Sequence, residues 1–155
     1  MTAGSVPTAY GSVREKALQP ILLYDGSCGL CAHSVQFVLG HEHASHDLRF
    51  ATLQGEHGRR ALSSDPKLAG VDSVIWLEPG TDGRPARVLV RSEAVLAVMR
   101  HLGGPWKLLA AVGRVVPRVS RDALYRIVAR YRYRVFGRDQ ACLLPTPDQR
   151  ARFLD

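Results

Sequence analysis

The sequence predicts one α/β domain with the element order β-α-β-α-β-β-α, a mixed four-stranded sheet and a C-terminal helical extension. Three observations predict it. An apolar run at residues 21–24 is followed by a tight turn and an amphipathic segment, which reads as strand, turn and helix. A strand-like run at residues 48–53 then completes a β-α-β unit, whose strands run parallel through a right-handed crossover. Two further apolar runs, at residues 73–77 and 87–91, flank a turn rich in Pro, Gly and Asp and so form an antiparallel hairpin. A chain of 155 residues, 46% hydrophobic and 23% charged, has the length and composition for one packed core.

Residues 1–18 read as a disordered lead-in, and residues 19–103 as the α/β core. The first strand is apolar on both sides, as a buried strand is. The helix after it places Leu30, Val35, Val38 and Leu39 on one face, with Gly40 as C-cap. The connector with His41, His43 and His46 reads as an exposed polar loop, because no carboxylate or cysteine stands at ligand spacing. Residues 55–63 form a weak helix that Asp65 and Pro66 end. Ser92 reads as the N-cap of the next helix, with Glu93 in its first turn. Val95, Leu96, Val98, Met99 and Leu102 face its core, and Gly103 ends it.

Residues 104–138 read as a helical extension packed on the core. Pro105 opens one helix, whose apolar residues are Trp106, Leu108, Leu109, Val112 and Val116. Ser120 caps another, with Leu124, Ile127, Val128, Tyr131 and Val135 on one face and Gly137 after it. Arg126, Arg130, Arg132, Arg134 and Arg138 alternate there with Tyr125, Tyr131, Tyr133 and Phe136. Such interleaving can bind nucleic acid. A core-facing aromatic stripe with a solvated Arg face explains the same residues, and no nucleic-acid partner is expected. Residues 139–155 read as a tail.

The chemistry lies at the first strand–helix junction, Tyr24-Asp25-Gly26-Ser27-Cys28-Gly29-Leu30-Cys31. Two cysteines so spaced form a reversible disulfide or supply half of a metal site. Residues three apart on a helix have Cβ atoms about 5–6 Å apart, whereas a disulfide needs about 3.5–4.5 Å. A first turn with Cys28 at the cap closes that gap. The helix N-terminus favours a thiolate at Cys28 and should lower its pKa. Cys28 is therefore the expected attacking thiolate and Cys31, one turn in and less exposed, the resolving thiol. Asp25 has two readings: it caps the turn through backbone N–H groups, or it takes the proton of Cys31. The third cysteine, Cys142, reads as a small buried residue, a surface thiol or a further redox or metal partner.

The Asp25-x-x-Cys28-x-x-Cys31 motif, preceded by Tyr24, resembles the signature of the DCC family of thiol-disulfide oxidoreductase-like proteins. Later stretches are similar to landmarks of that family: Arg91 to Leu96, Leu102 to Trp106, Pro117 with Arg118, Tyr125 with Arg126, Ala129 to Tyr133, and Phe136 to Arg138 with Cys142. The resemblance runs from about residue 20 to 145 and implies a thioredoxin-like fold, which the element order also describes. One departure is visible. Thioredoxins and glutaredoxins place a cis-proline just before the third strand, facing the cysteines; here Gly70-Val71-Asp72-Ser73 supplies none, so the edge that pairs with substrate backbone should differ.

The net charge of +7 rests on 21 basic residues, mostly Arg and spread along the chain, a distribution that coding bias explains without an anionic partner. No apolar run approaches the ~20 residues that span a bilayer, and residues 1–16 lack the apolar block of a secretory signal. A cytoplasmic location follows as the expectation, and three cysteines in that reducing compartment suit redox or metal chemistry rather than a structural disulfide. The expected function is a thiol-disulfide oxidoreductase that cycles Cys28 and Cys31, acts on a protein or small-molecule disulfide or thiol, and needs no organic cofactor or resident metal. The alternative is a non-enzymatic metal-binding or interaction module with Cys28 and Cys31 as ligands.

Overall fold

The structure, a computed structural model, describes residues 19–42, 48–68, 70–71, 73–78, 87–136 and 146–154. The lead-in, the loop histidines His43 and His46, the hairpin turn and the segment holding Gly137, Arg138 and Cys142 lie outside the described residues.

The elements are β1 (Ile21–Tyr24), α1 (Gly29–His41), β2 (Arg49–Thr52), α2 (Glu56–Ser64), a 3₁₀ turn (Pro66–Leu68), β3 (Ile75–Glu78) and β4 (Arg87–Val90). They are followed by α3 (Ser92–Leu102), α4 (Gly104–Val115), α5 (Arg118–Phe136) and a short α6 (Pro147–Arg150). The sheet order is β2-β1-β3-β4. β1 runs parallel to β2, with Ile21 opposite Arg49. β3 runs antiparallel to both β1 and β4. This is the mixed sheet of a thioredoxin-like fold, with the β1–α1 junction at one end of a central strand.

β1 has no solvent-facing side, so its four residues are apolar and buried. Leu22 and Tyr24 pack with Val35, Phe50, Trp76 and Ala97 on one side of the sheet. Ile21 and Leu23 pack with Ala51, Ala61, Leu68 and Ile75 on the other. Leu23, Phe50 and Ile75 are fully buried, and each such side chain contributes roughly 1.5–3 kcal/mol of transfer free energy. The two layers hold β1 rigidly and fix where its last residue delivers the turn.

Several local expectations are corrected. Gly40 lies inside α1, which runs to His41 and takes Glu42 as C-cap. Glu42 can serve because its own side chain is anchored by His101 at 2.6 Å and by Arg152. Ser92 is not an N-cap; Arg91 holds that position, at φ 54°, and the Ser92 hydroxyl donates instead to Asp122 of α5.

The largest correction concerns the extension. The stripe expected to face the core on α5 faces solvent: Leu124 is 64% and Val135 72% exposed. On α4, Leu108 and Val112 are likewise exposed, and Ala110 is the buried residue. The inner side of α5 carries Asp122, Tyr125, Ala129, Arg132 and Tyr133, which fall at helical spacing. Polar anchors set its rotation: Asp122 accepts from Ser92, the Tyr125 hydroxyl accepts from Val74, and Arg132 and Tyr133 reach Asp25. The solvated Arg face holds for Arg126, Arg130 and Arg134, but Arg132 is only 4% exposed.

Candidate active site

The turn after β1 brings Asp25, Cys28 and Cys31 together. The Cys28 N–H donates to the Asp25 carbonyl at 3.2 Å, which tightens the turn. Cys28 is then the N-cap of α1, with extended backbone (φ −98°, ψ 116°), and its Sγ accepts the Cys31 N–H at 3.3 Å. The sulfur thus takes the place of the usual capping oxygen on one of the free donors of the first turn. Both cysteines are free thiols.

The expected order of exposure is reversed. Cys28 is fully buried and Cys31 is 7% exposed. The last turn of α5 provides part of the cover: a Cβ on Gly29 would stand 2.6 Å from the Phe136 carbonyl oxygen, so the two backbones approach as closely as a glycine allows. Burial first, then the bond to Cys28, pushes the Cys31 thiol up to about 12.

Asp25 is the polar centre of the site. Its Oδ1 accepts from Ser27 N at 2.9 Å, Ser27 Oγ at 2.7 Å and Gln54 Nε2 at 2.8 Å. Its Oδ2 accepts from the Tyr133 hydroxyl and from Arg132 Nη2, the latter at 3.3 Å. Burial alone would raise its pKa, but the bonds from Tyr133, Ser27 and Gln54 outweigh that and hold it below the usual carboxylate range. Gln54 also accepts the Gly26 N–H at 3.0 Å and so ties the turn to the end of β2. The Arg132 guanidinium lies over the Tyr133 ring at 4.6 Å.

Arg132, Tyr133 and Gln54 were not among the expected site residues. A signal existed for the first two. Asp25 sits among apolar residues, where a carboxylate needs a buried cation, and Arg132 interrupts the apolar spacing of α5. The sequence does not say that these two meet.

Beside the pair, a cavity of about 360 Å³ opens between α1, α3 and α5. Cys31 lines it and Cys28 does not. Val74, just before β3, also lines it; its N–H is taken by the Tyr125 hydroxyl at 3.2 Å and its carbonyl by the Arg91 N–H at 3.3 Å. At the place where the sequence lacks a proline, α5 has thus occupied the backbone. Among the described residues no three His, Cys, Asp or Glu side chains cluster as metal ligands; Cys142, His43 and His46 lie outside them.

Fold and site together define a thioredoxin-like α/β protein with a cysteine pair at its first helix cap and a buried Asp-Arg-Tyr cluster beneath it. The chain belongs to the DCC1-like thiol-disulfide oxidoreductase family, which matches residues 22–138. It is 36% identical over 141 residues to the uncharacterized protein YuxK of Bacillus subtilis, covering 90% of this chain and 97% of that protein. It is also 36% identical over 131 residues to a DCC family protein of Arabidopsis thaliana named as chloroplastic, covering 84% of this chain and 72% of that protein. No solved structure gives a significant match. No helix among the described residues is long and apolar enough to cross a membrane.

Proposed function

We propose that this protein is a thiol-disulfide oxidoreductase that cycles Cys28 and Cys31 between dithiol and disulfide. The observation that carries the reading is the cap geometry: Cys28 caps α1 and its Sγ accepts the Cys31 N–H at 3.3 Å, which holds the two thiols together at the start of the helix. Cys28 as thiolate attacks one sulfur of a substrate disulfide. A Cys28–substrate S–S bond forms as the substrate S–S bond breaks, and the electron pair leaves on the second substrate sulfur, which takes a proton from water. Cys31 gives its proton to water as it approaches and then attacks Cys28 Sγ. The intramolecular disulfide forms and the first substrate sulfur leaves with its electron pair. Two electrons pass from the protein to the substrate, and a thiol or dithiol donor restores the reduced pair.

Asp25 is a positioning residue in this scheme. Its carboxylate already accepts bonds from Ser27, Gln54, Arg132 and Tyr133, which leaves little acceptor capacity for the Cys31 proton. It holds the turn and α5 in register so that Cys28 stays at the cap. The reading carries a thiol or disulfide substrate and the cytoplasm as compartment, with no nucleic-acid partner. Redox titration of the pair in glutathione buffers tests it: a reversible loss of two thiols is expected, and a pair that never exchanges would remove the oxidoreductase. Metal content after purification without chelator tests the module alternative, which requires stoichiometric metal and no reversible loss of thiols.

A further inference from the structure

Residues 104–136 carry eight basic side chains and one acidic one, Asp122, so α4 and α5 hold a charge of +7, which is the net charge of the whole chain. The basic residues are spread along the sequence, but the acidic ones thin to one here. Arg121 and Arg132 are paired with Glu93 and Asp25, and Asp122 turns in to Ser92. The other six, Lys107, Arg114, Arg118, Arg126, Arg130 and Arg134, are exposed. The same stretch gathers apolar surface. Of fourteen large apolar side chains exposed among the described residues, twelve lie between Leu108 and Phe136. Single exposed apolar residues are ordinary, but a contiguous group marks a surface that meets a partner.

On α5 the two kinds of residue form adjacent stripes. Leu124, Ile127, Val128, Tyr131 and Val135 recur at three- and four-residue steps along its outer side. Arg126, Arg130 and Arg134 recur at four-residue steps beside them. An outer face of this kind suits a helix lying in a membrane interface, its apolar side chains at the acyl boundary and its cations among the headgroups. α5 has 19 residues but is not apolar enough to cross a bilayer, so it would lie along one.

Other occupants fit this face less well. A second copy would set its own exposed cations against the first. A nucleic acid would match the arginines and leave the aliphatic stripe wet. The apolar anchors of protein interfaces are chiefly aromatic, with Leu and Val under-represented, whereas ten of the twelve exposed residues here are Val, Leu or Ile. A fluid bilayer accepts aliphatic side chains without a shaped pocket. We propose that the outer face of α5 docks the protein on an anionic membrane surface, with its apolar stripe at the acyl boundary and Arg126, Arg130 and Arg134 on lipid phosphates. The inner side of α5, which covers the cysteine pair, then faces away from the bilayer.

Flotation of the reduced full chain with extruded vesicles tests this. Binding is expected to vesicles of mixed phosphatidylcholine and phosphatidylserine, far less to phosphatidylcholine alone, and it should fall as salt rises. A variant with Arg126→Gln, Arg130→Gln and Arg134→Gln should bind roughly a hundredfold more weakly, at about fivefold for each cation near such a surface. Ile127→Gln with Val135→Gln keeps every charge and should weaken binding about tenfold through lost apolar burial. All five positions are exposed. Urea melts check that both variants fold, and a variant that unfolds leaves the decision to the other. No flotation of the wild type with the anionic vesicles overturns the proposal and leaves the face to a protein partner. Binding unchanged in the folded variants overturns it too, and weakening in the arginine variant alone overturns the seating at the acyl boundary. Without flotation, salt-sensitive dimers in sedimentation velocity would assign the face to a second copy, and retention on duplex DNA to a nucleic acid.

Discussion

Arg132 Nη2 lies 3.3 Å from Asp25 Oδ2, with both side chains almost without solvent. The pair joins the turn that presents Cys28 to the helix that covers it. Removing one partner of a buried ion pair leaves the other charge uncompensated and costs about 3–5 kcal/mol. Asp25→Asn should lose stability in that range, read as a lower urea midpoint. Asp25→Asn with Arg132→Met should recover part of it. The positioning role further requires that the pH profile of exchange keep its shape in Asp25→Asn; loss of a titrating limb would make Asp25 a proton carrier instead.

Acid should unfold the protein through its buried carboxylates. Asp25 and Glu42 both have folded pKa values below their ordinary 3.8 and 4.5. Burial opposes this at each site; hydrogen bonds from Tyr133, Ser27 and Gln54 at Asp25, and from His101 and Arg152 at Glu42, outweigh it. With folded values depressed, the stabilisation is fully present above the unfolded values and is lost as pH falls through the folded ones. Stability is expected to decline below about pH 4.5, with a slope approaching ~1.4 kcal/mol per pH unit for each carboxylate. Glu42→Gln should lower stability at neutral pH and flatten that slope, measured as urea midpoints across the acid range.

The reduced protein should also lose stability in base. Cys31 titrates at 9.0 in a free chain and at about 12 in the fold, chiefly through burial. A raised folded value means that its contribution is intact below pH 9.0 and declines as pH rises toward 12. Cys31→Ala should remove this term, and the oxidised protein should lack it as well. In Cys28→Ser, thiolate absorbance of Cys31 should still appear well above pH 9.0, because burial remains.

Gly29→Ala would set a methyl 2.6 Å from the Phe136 carbonyl oxygen. Backbone cannot yield as a side-chain tip does, so the last turn of α5 must move. A loss of about 1–3 kcal/mol is expected, the usual cost of overpacking. Alkylation of Cys28 by iodoacetamide should become faster, since part of its cover has lifted. Equal rates in the two proteins would mean that this turn does not limit access.

Much of the fold could be read from local pattern. The apolar run of β1, the breaks at Asp65 and Pro66 and the helix opened by Pro105 are local signals, and each locates its element to within a residue or two. Cys28 and Cys31 were equally legible, because their spacing is itself the chemistry. The rotation of α5 was not. Hydrophobic periodicity assumes that arginines face water, and here Arg132 meets an aspartate 107 positions upstream. That pairing, with the anchors at Asp122, Tyr125 and Tyr133, leaves Leu124, Ile127 and Val135 exposed. The exposure order of the cysteines was missed for the same reason, since α5 covers a pair that lies far from it in sequence.

The last described residues have a part in the sheet as well. Phe153 bridges in parallel to Phe50 and stacks on its ring at 5.4 Å. The Phe50 N–H donates to the Arg152 carbonyl, and the Leu154 N–H to the Phe50 carbonyl. Arg152 also clamps the Leu48 carbonyl from 104 positions away. β2 is an edge strand, and an open edge invites pairing with another chain. During synthesis β2 leaves the ribosome long before Arg152 and Phe153 do. Until residues 152–154 dock, the β2 edge of the nascent sheet is open to pairing with another chain.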